Sequence, residues 1–143
     1  FEDAAHFEKY LDQTAGNLAV VAARQLGVAD DQVVRDAAFA AGVAAWLLAI
    51  PALEAAGRIP LLEGTEAAVS TLAQSALDRL AKARAARSKV SVAAGTARLH
   101  VGAAVPVLKA AVQAPHAVAE GILPDPVEAD RIKLAYRGFT GRW

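Results

Sequence analysis

The sequence lacks both sulfur-containing amino acids, with no cysteine and no methionine among its 143 residues. The absence of cysteine excludes a disulfide framework, a thiolate metal site and thiol redox chemistry, and it fits a reducing compartment, so we expect a cytoplasmic protein. Net charge is also absent, because 15 Lys and Arg balance 15 Asp and Glu. A neutral chain creates no global field that attracts a polyanion, and we therefore expect no nucleic-acid partner.

Aromatic residues are scarce at 6%, whereas 55% of the chain is hydrophobic and its mean hydropathy is +0.30. Alanine supplies much of this apolar content, and alanine is the strongest intrinsic helix former. No stretch shows the apolar–polar alternation that is typical of a strand. A chain of this length buries roughly two thirds of its unfolded surface in one core. Composition therefore predicts a single all-α domain over residues 1–143.

Apolar residues three and four positions apart predict five helices. The predicted ranges are 3–27, then 30 or 31 to 57 with a kink at Pro51, a third from 65, a fourth over 91–114 that contains Pro106, and a fifth from 125 to about 138. The first helix should bury one face, made of Phe7, Leu11, Thr14 or Ala15, Leu18, Val21 or Ala22, and Leu26. The third should bury the stripe Val69, Leu72, Ala73, Ala76, Leu80 and Ala83.

The second predicted helix contains a run of 17 uncharged residues, 37–53. A membrane span needs about 20 strongly apolar residues, and most of the residues here are Ala or Gly. Asp36 and Glu54 border the run and Pro51 interrupts it. A helix that is apolar on all sides is typical of the central helix of a bundle. We therefore interpret it as a buried core helix, with a membrane span as the alternative.

The usual signatures of an enzyme site are missing. None of the three histidines has the spacing of a metal site, and neither Gly-x-Ser-x-Gly nor a Gly-rich phosphate loop occurs. The one local basic run is DRLAKARAARSK, residues 78–89. It fits a solvated helix end whose cations suit the helix dipole, and equally a surface for an acidic partner or for anionic lipid headgroups.

Three stretches, in this order, resemble the later part of the squalene/phytoene synthase family. YLDQTAGNLAVVAARQLG has Tyr10 ahead of an Ala-Gly pair, GRIPLL follows the apolar helix as a connector at 57–62, and GFTGRW ends the chain at 138–143. The likeness covers nearly all of this chain and about the second half of a typical member. It implies an incomplete helical bundle of the isoprenoid synthase type.

The resemblance also implies a chemistry that this chain has lost. The family ionises an isoprenyl diphosphate and joins two prenyl chains, which requires Mg²⁺ held by two carboxylate-rich motifs. The first motif would lie upstream of residue 1. The second, Gln-x-x-Asn-x-x-Arg-Asp-x-x-Glu-Asp, aligns through Gly57 with six apolar residues: Gly42, Ala45, Leu48, Ala49, Ala52 and Leu53. The chain is therefore similar to the non-catalytic branch that includes a respiratory complex I assembly factor.

We accordingly expect a non-catalytic assembly or scaffold factor that needs no cofactor. Two alternatives stay open: an active prenyl diphosphate transferase whose Mg²⁺ is held mainly by the upstream half, and a module that binds an apolar lipid. The expected partners are the upstream half of the same protein, a further protein, an apolar or prenyl ligand, or a second copy, and a position peripheral to a membrane stays open. The residues expected to line the family's cavity are Tyr10, Gln13, Asn17, Gly42, Ala45, Trp46, Ala49, Leu53 and Arg58.

Overall fold

A computed structural model describes residues 3–61, 63–95 and 101–125. The described residues are 78% helical and contain no strand, which confirms the all-α prediction. A π-helical turn (Asp12–Gly16) separates the first two helices, and a 3₁₀ turn (Arg87–Lys89) follows the fourth. The helices are α1 (Ala4–Leu11), α2 (Asn17–Leu26), α3 (Asp31–Ala55), α4 (Glu66–Ala85), α5 (Val92–Gly95), α6 (Val101–Gln113) and α7 (His116–Ala119).

Short polar side chains determine where three helices begin. The side chains of Asp3, Asp30 and Thr65 each accept a bond from the backbone N–H three residues later, at 2.7, 3.1 and 3.2 Å. Such a cap satisfies a donor that has no partner inside the helix. The predicted starts of the second and third helices are therefore confirmed to within one residue.

Helix α3 lies at the centre of the fold, where α1, the π-helical turn, α2, α4, α6 and α7 pack against it. Ten of its 25 residues are buried, and Leu47 and Ile50 join Leu80 and Leu108 among the largest fully buried side chains. By length and composition α3 could also cross a membrane, but the buried core helix of a soluble protein can have the same length and composition. The packing supports the interpretation as a core helix.

The apolar stripe predicted on α4 is confirmed. Leu72 is half-buried, and the other five members are buried: Val69, Ala73, Ala76, Leu80 and Ala83. This face packs against α3 and α6. A constant spacing of three and four residues was enough here because α4 is a regular α-helix from its first residue to its last.

The face predicted for the first helix is correct only as far as the π-helical turn. Phe7 and Leu11 are buried, but Leu18, Val21 and Leu26 are 72%, 59% and 49% exposed. A π-helical turn accommodates an extra residue, which rotates the following helix by about 100° relative to the regular register. The buried positions shift accordingly, to Gly16, Val20 and Ala23. The prediction that the three exposed residues face the core was therefore wrong.

The fourth predicted helix corresponds to α5 and α6, and residues 96–100 between them lie outside the described residues. Helix α6 continues through Pro106 and buries Leu108, whereas Val105 and Val112 are half-buried. The fifth predicted helix and the GFTGRW stretch lie outside the described residues, except for the exposed Asp125.

Candidate functional site

The six positions that the family alignment assigns to the diphosphate-binding motif lie together on α3. Their spacing of three, four and seven residues places them within an arc of about 140° around the helix axis. None of them is among the ten buried residues of α3. We call this set the α3 stripe. Ala45 and Ala52 are exposed, and the remaining members, Gly42, Leu48, Ala49 and Leu53, are half-buried.

The side of α3 that carries the α3 stripe is covered in the N-terminal half of the helix. In the N-terminal half the same side of α3 carries Val34, which packs with Val20, Ala23 and Ala94 in a small separate core. Helices α2 and α5, which supply those three residues, pack against each other there. Beyond this cover the described residues leave the apolar side of α3 partly exposed.

An aromatic group borders the α3 stripe. The Trp46 ring meets Phe7 and Tyr10 edge to face, with centroid separations of 5.5 and 5.7 Å. Its indole Nε1 donates to the carbonyl oxygen of Pro60 at 3.0 Å. This bond folds the connector after α3 back onto the helix and holds the indole in one orientation. Tyr10 remains 40% exposed beside it.

Gly42 is a packing residue at the crossing of α3 with the N-terminal helices. A Cβ atom there would lie 3.3 Å from Leu11 Cδ2 and 3.5 Å from Ala15 Cβ. The missing side chain therefore lets Leu11 and Ala15 approach α3 closely.

The described structure brings together only some of the nine residues that the resemblance predicts to line a cavity. Tyr10, Gly42, Ala45, Trp46, Ala49 and Leu53 come together along the C-terminal half of α3. Asn17 has a different partner, because its side-chain oxygen accepts a bond from Arg35 Nη2 at 2.9 Å. Arg35 also binds Asp12 at 2.7 Å, so Asn17 belongs to the clamp that holds the π-helical turn. Gln13 is exposed on that turn.

Arg58 is exposed at the end of α3. Gly57 adopts a φ of +73°, and the N–H of Arg58 donates to the Leu53 carbonyl at 2.9 Å while that of Gly57 donates to Glu54 at 2.9 Å. These two bonds form a Schellman cap, which closes the helix and explains the Gly-Arg pair by local geometry.

The α3 stripe offers apolar contact area and no ionisable group. Within residues 3–61, 63–95 and 101–125, no three His, Asp or Glu side chains form a group that would hold a metal ion. No metal site is assigned within those ranges. What the stripe can do chemically is bury surface against another apolar surface.

Sequence reasoning missed the structural role of the half-buried Arg79. Its Nε donates to Asp36 Oδ1 at 2.9 Å, and its guanidinium carbon lies 3.9 Å from the centre of the Phe39 ring. Glu8 of α1 is a further ionic partner at 3.8 Å. The first cation of the basic run therefore joins α4 to α3 and α1, and no local pattern around residue 79 signals this.

Comparison of the chain with protein-family models, curated proteins and solved structures gives no significant match. The described residues define an all-α domain built around one long helix, with one side of that helix partly uncovered.

Proposed function

We propose that this chain is the later part of a squalene/phytoene synthase-like domain that has lost catalysis and serves as an assembly or scaffold factor. The observation that carries the proposal is the position of the α3 stripe. In the family, the aligned residues face a cavity shared with helices from the upstream half. Here none of the same six positions is fully buried by the described helices, although Gly42 and Leu48 pack against core residues.

The chemistry of the stripe favours binding over catalysis. Diphosphate leaves only when its charge is neutralised, and Mg²⁺ takes oxygen ligands, chiefly carboxylates and water. All six aligned positions carry aliphatic side chains or none. A surface of this kind contributes to affinity through the apolar area that it removes from water.

The proposed occupant of the α3 stripe is the upstream part of the same protein. Small residues such as Ala45, Ala49 and Ala52 let a neighbouring helix approach closely, since they project little beyond the backbone. The bordering Trp46 and Tyr10 offer a larger apolar and aromatic edge for the same contact. Covering the stripe would give α3 neighbours on every side.

The test of lost catalysis uses the full-length protein with Mg²⁺ and farnesyl or geranylgeranyl diphosphate. We expect no release of diphosphate, while an active squalene synthase assayed in parallel releases it. Turnover that a chelator abolishes would contradict the proposal and favour the prenyltransferase alternative. Saturable binding of farnesol without turnover would favour the apolar lipid-binding module instead.

A further inference from the structure

A second uncovered surface lies at the end of the bundle where α2 and α4 finish. An isolated antiparallel bridge joins Ala29 to Val90 there. Two flanking bonds extend the pairing, from Ser91 N–H to the Val28 carbonyl at 2.8 Å and from Asp30 N–H to the Lys89 carbonyl at 3.2 Å. The bridge thus holds together the ends of α2 and α4 and the starts of α3 and α5. We call this region the bridge end.

Large aliphatic side chains protrude from the bridge end into solvent. Val28 is 78% exposed, Val92 63% and Leu26 49%. Val28 directly precedes the bridge and Val92 lies two residues beyond it, so the two are carried by paired segments. Single exposed aliphatic residues are common on protein surfaces, whereas several on one small region indicate a contact surface.

The bridge end is also cationic. Lys82, Arg87 and Lys89 are exposed in the last turn of α4 and the following 3₁₀ turn. Among the described residues of this region, five are basic and two are acidic: Arg24, Lys82, Arg84, Arg87 and Lys89, and Asp30 and Asp31. Those two acids pair with Lys89 and Arg24, at 3.9 and 2.9 Å. The chain is neutral overall, but residues 79–119 contain no Asp or Glu.

We propose that the bridge end docks on an anionic lipid bilayer, with Leu26, Val28 and Val92 entering the interface and the Lys and Arg side chains meeting the headgroups. Lipid surfaces bind proteins through this combination of apolar insertion and cationic attraction. The dipole of α4 explains the cations at its C-terminus, but it does not explain why valines are exposed beside them. Aliphatic side chains that protrude beside several cations match the apolar interior and the anionic headgroups of a lipid interface, whereas Leu and Val seldom supply most of the energy of a protein–protein interface.

This proposal does not depend on the family assignment, because it uses only the bridge end. The experiment is cosedimentation of the full-length protein with vesicles of phosphatidylcholine, alone or mixed with phosphatidylserine. We expect binding to the mixed vesicles only, weakened by added salt because the headgroup attraction is screened. The double variant Lys82→Ala/Arg87→Ala should bind about twentyfold more weakly, and Val28→Ser/Val92→Ser about tenfold.

Matched controls make the same changes elsewhere. Lys9→Ala/Lys109→Ala removes two exposed cations, and Ile59→Ser/Ile122→Ser removes two aliphatic side chains that are 88% and 65% exposed. Ile59 follows the C-terminus of α3, and Gly121 beside Ile122 lies against Pro51, so both isoleucines are far from the bridge end. Both controls should bind the mixed vesicles like the wild type.

Three results would overturn the proposal. The first is no binding of the wild type to the mixed vesicles, and the second is an equal loss of binding in the control variants. The third is a folded Val28→Ser/Val92→Ser variant that binds the mixed vesicles as tightly as the wild type. In the third case, parallel binding to soluble polyglutamate that Lys82→Ala/Arg87→Ala abolishes would identify an acidic protein surface as the partner. Thermal melting of each variant separates loss of binding from loss of fold.

Discussion

Arg79 of α4 donates a hydrogen bond from Nε to Oδ1 of Asp36 on α3 at 2.9 Å, joining the two longest helices. The side chains are only 26% and 16% exposed. The guanidinium group also lies over the Phe39 ring. Partial burial weakens solvent screening, so this pair should contribute more to stability than a pair in open solvent.

A double-mutant cycle of Asp36→Ala and Arg79→Ala measures this contribution. We expect a coupling free energy of about 1–3 kcal/mol in urea unfolding, as for hydrogen bonds between charged groups. Arg24 and Asp31 provide the matched control, because their side chains are 62% and 39% exposed. That pair should couple by less than about 1 kcal/mol. Equal coupling energies in the two cycles would show that burial does not strengthen the Arg79–Asp36 bond.

The position of the Ser91 hydroxyl predicts that a side chain larger than glycine at residue 27 would destabilise the fold. A Cβ atom at Gly27 would lie 2.5 Å from Ser91 Oγ, which caps α5 by accepting the Ala94 N–H at 3.3 Å. Gly27→Ala should displace the hydroxyl and lose the cap, at a cost of about 1 kcal/mol in the free energy of unfolding. Ser91→Ala should cost about the same for the same reason. The combination Gly27→Ala/Ser91→Ala should be no less stable than Ser91→Ala alone, whereas additive losses would mean that Gly27 has another role.

The contact at Gly42 predicts a steep response to side-chain size. Gly42→Val should force Leu11 and Ala15 away from α3 and lower the free energy of unfolding by about 1–3 kcal/mol. Ala45→Val enlarges an exposed neighbour on the same helix, and its cost should stay below about 0.7 kcal/mol, the range of helix propensities. Denaturant titrations of both variants test the difference. If Gly42→Val were as stable as the wild type, α1 and the π-helical turn would have to lie farther from α3 than the structure shows.

Substitutions at the exposed positions of the α3 stripe should weaken docking of the upstream polypeptide without destabilising this chain. An aspartate at position 45 would be costly in an enclosed apolar wall, but Ala45 and Ala52 are exposed. Ala45→Asp/Ala52→Asp should therefore leave the melting temperature of this chain nearly unchanged. It should weaken binding of the upstream polypeptide, because docking would bury two carboxylates without partners.

Light scattering of the chain with and without the upstream polypeptide measures that docking, and a hydrophobic dye reports the open stripe. Ala81→Asp/Ala85→Asp on the exposed face of α4 is the matched control and should dock normally. A chain that is a monodisperse monomer with low dye binding, and that ignores the upstream part, would contradict both the docking and the family assignment.

The sequence by itself determined the features that depend on neighbours three or four residues apart. Thr65 caps α4 through Ala68, and Gly57 closes α3 through bonds to Leu53 and Glu54. The buried stripe of α4 follows from the same spacing, because each helical turn repeats the same geometry. These interactions form within one segment, so their pattern is readable without knowing what packs against it.

Only the tertiary structure decided how these segments face one another. The π-helical turn is held by Arg35, a residue 23 positions from its partner Asp12, and it sets which side of α2 is buried. Helix α3 is apolar on nearly all sides, so its sequence pattern does not indicate which side is buried. Its buried side is chosen by the helices that pack on it, and burial of apolar area is non-directional, which is why the open α3 stripe could be located only from those contacts.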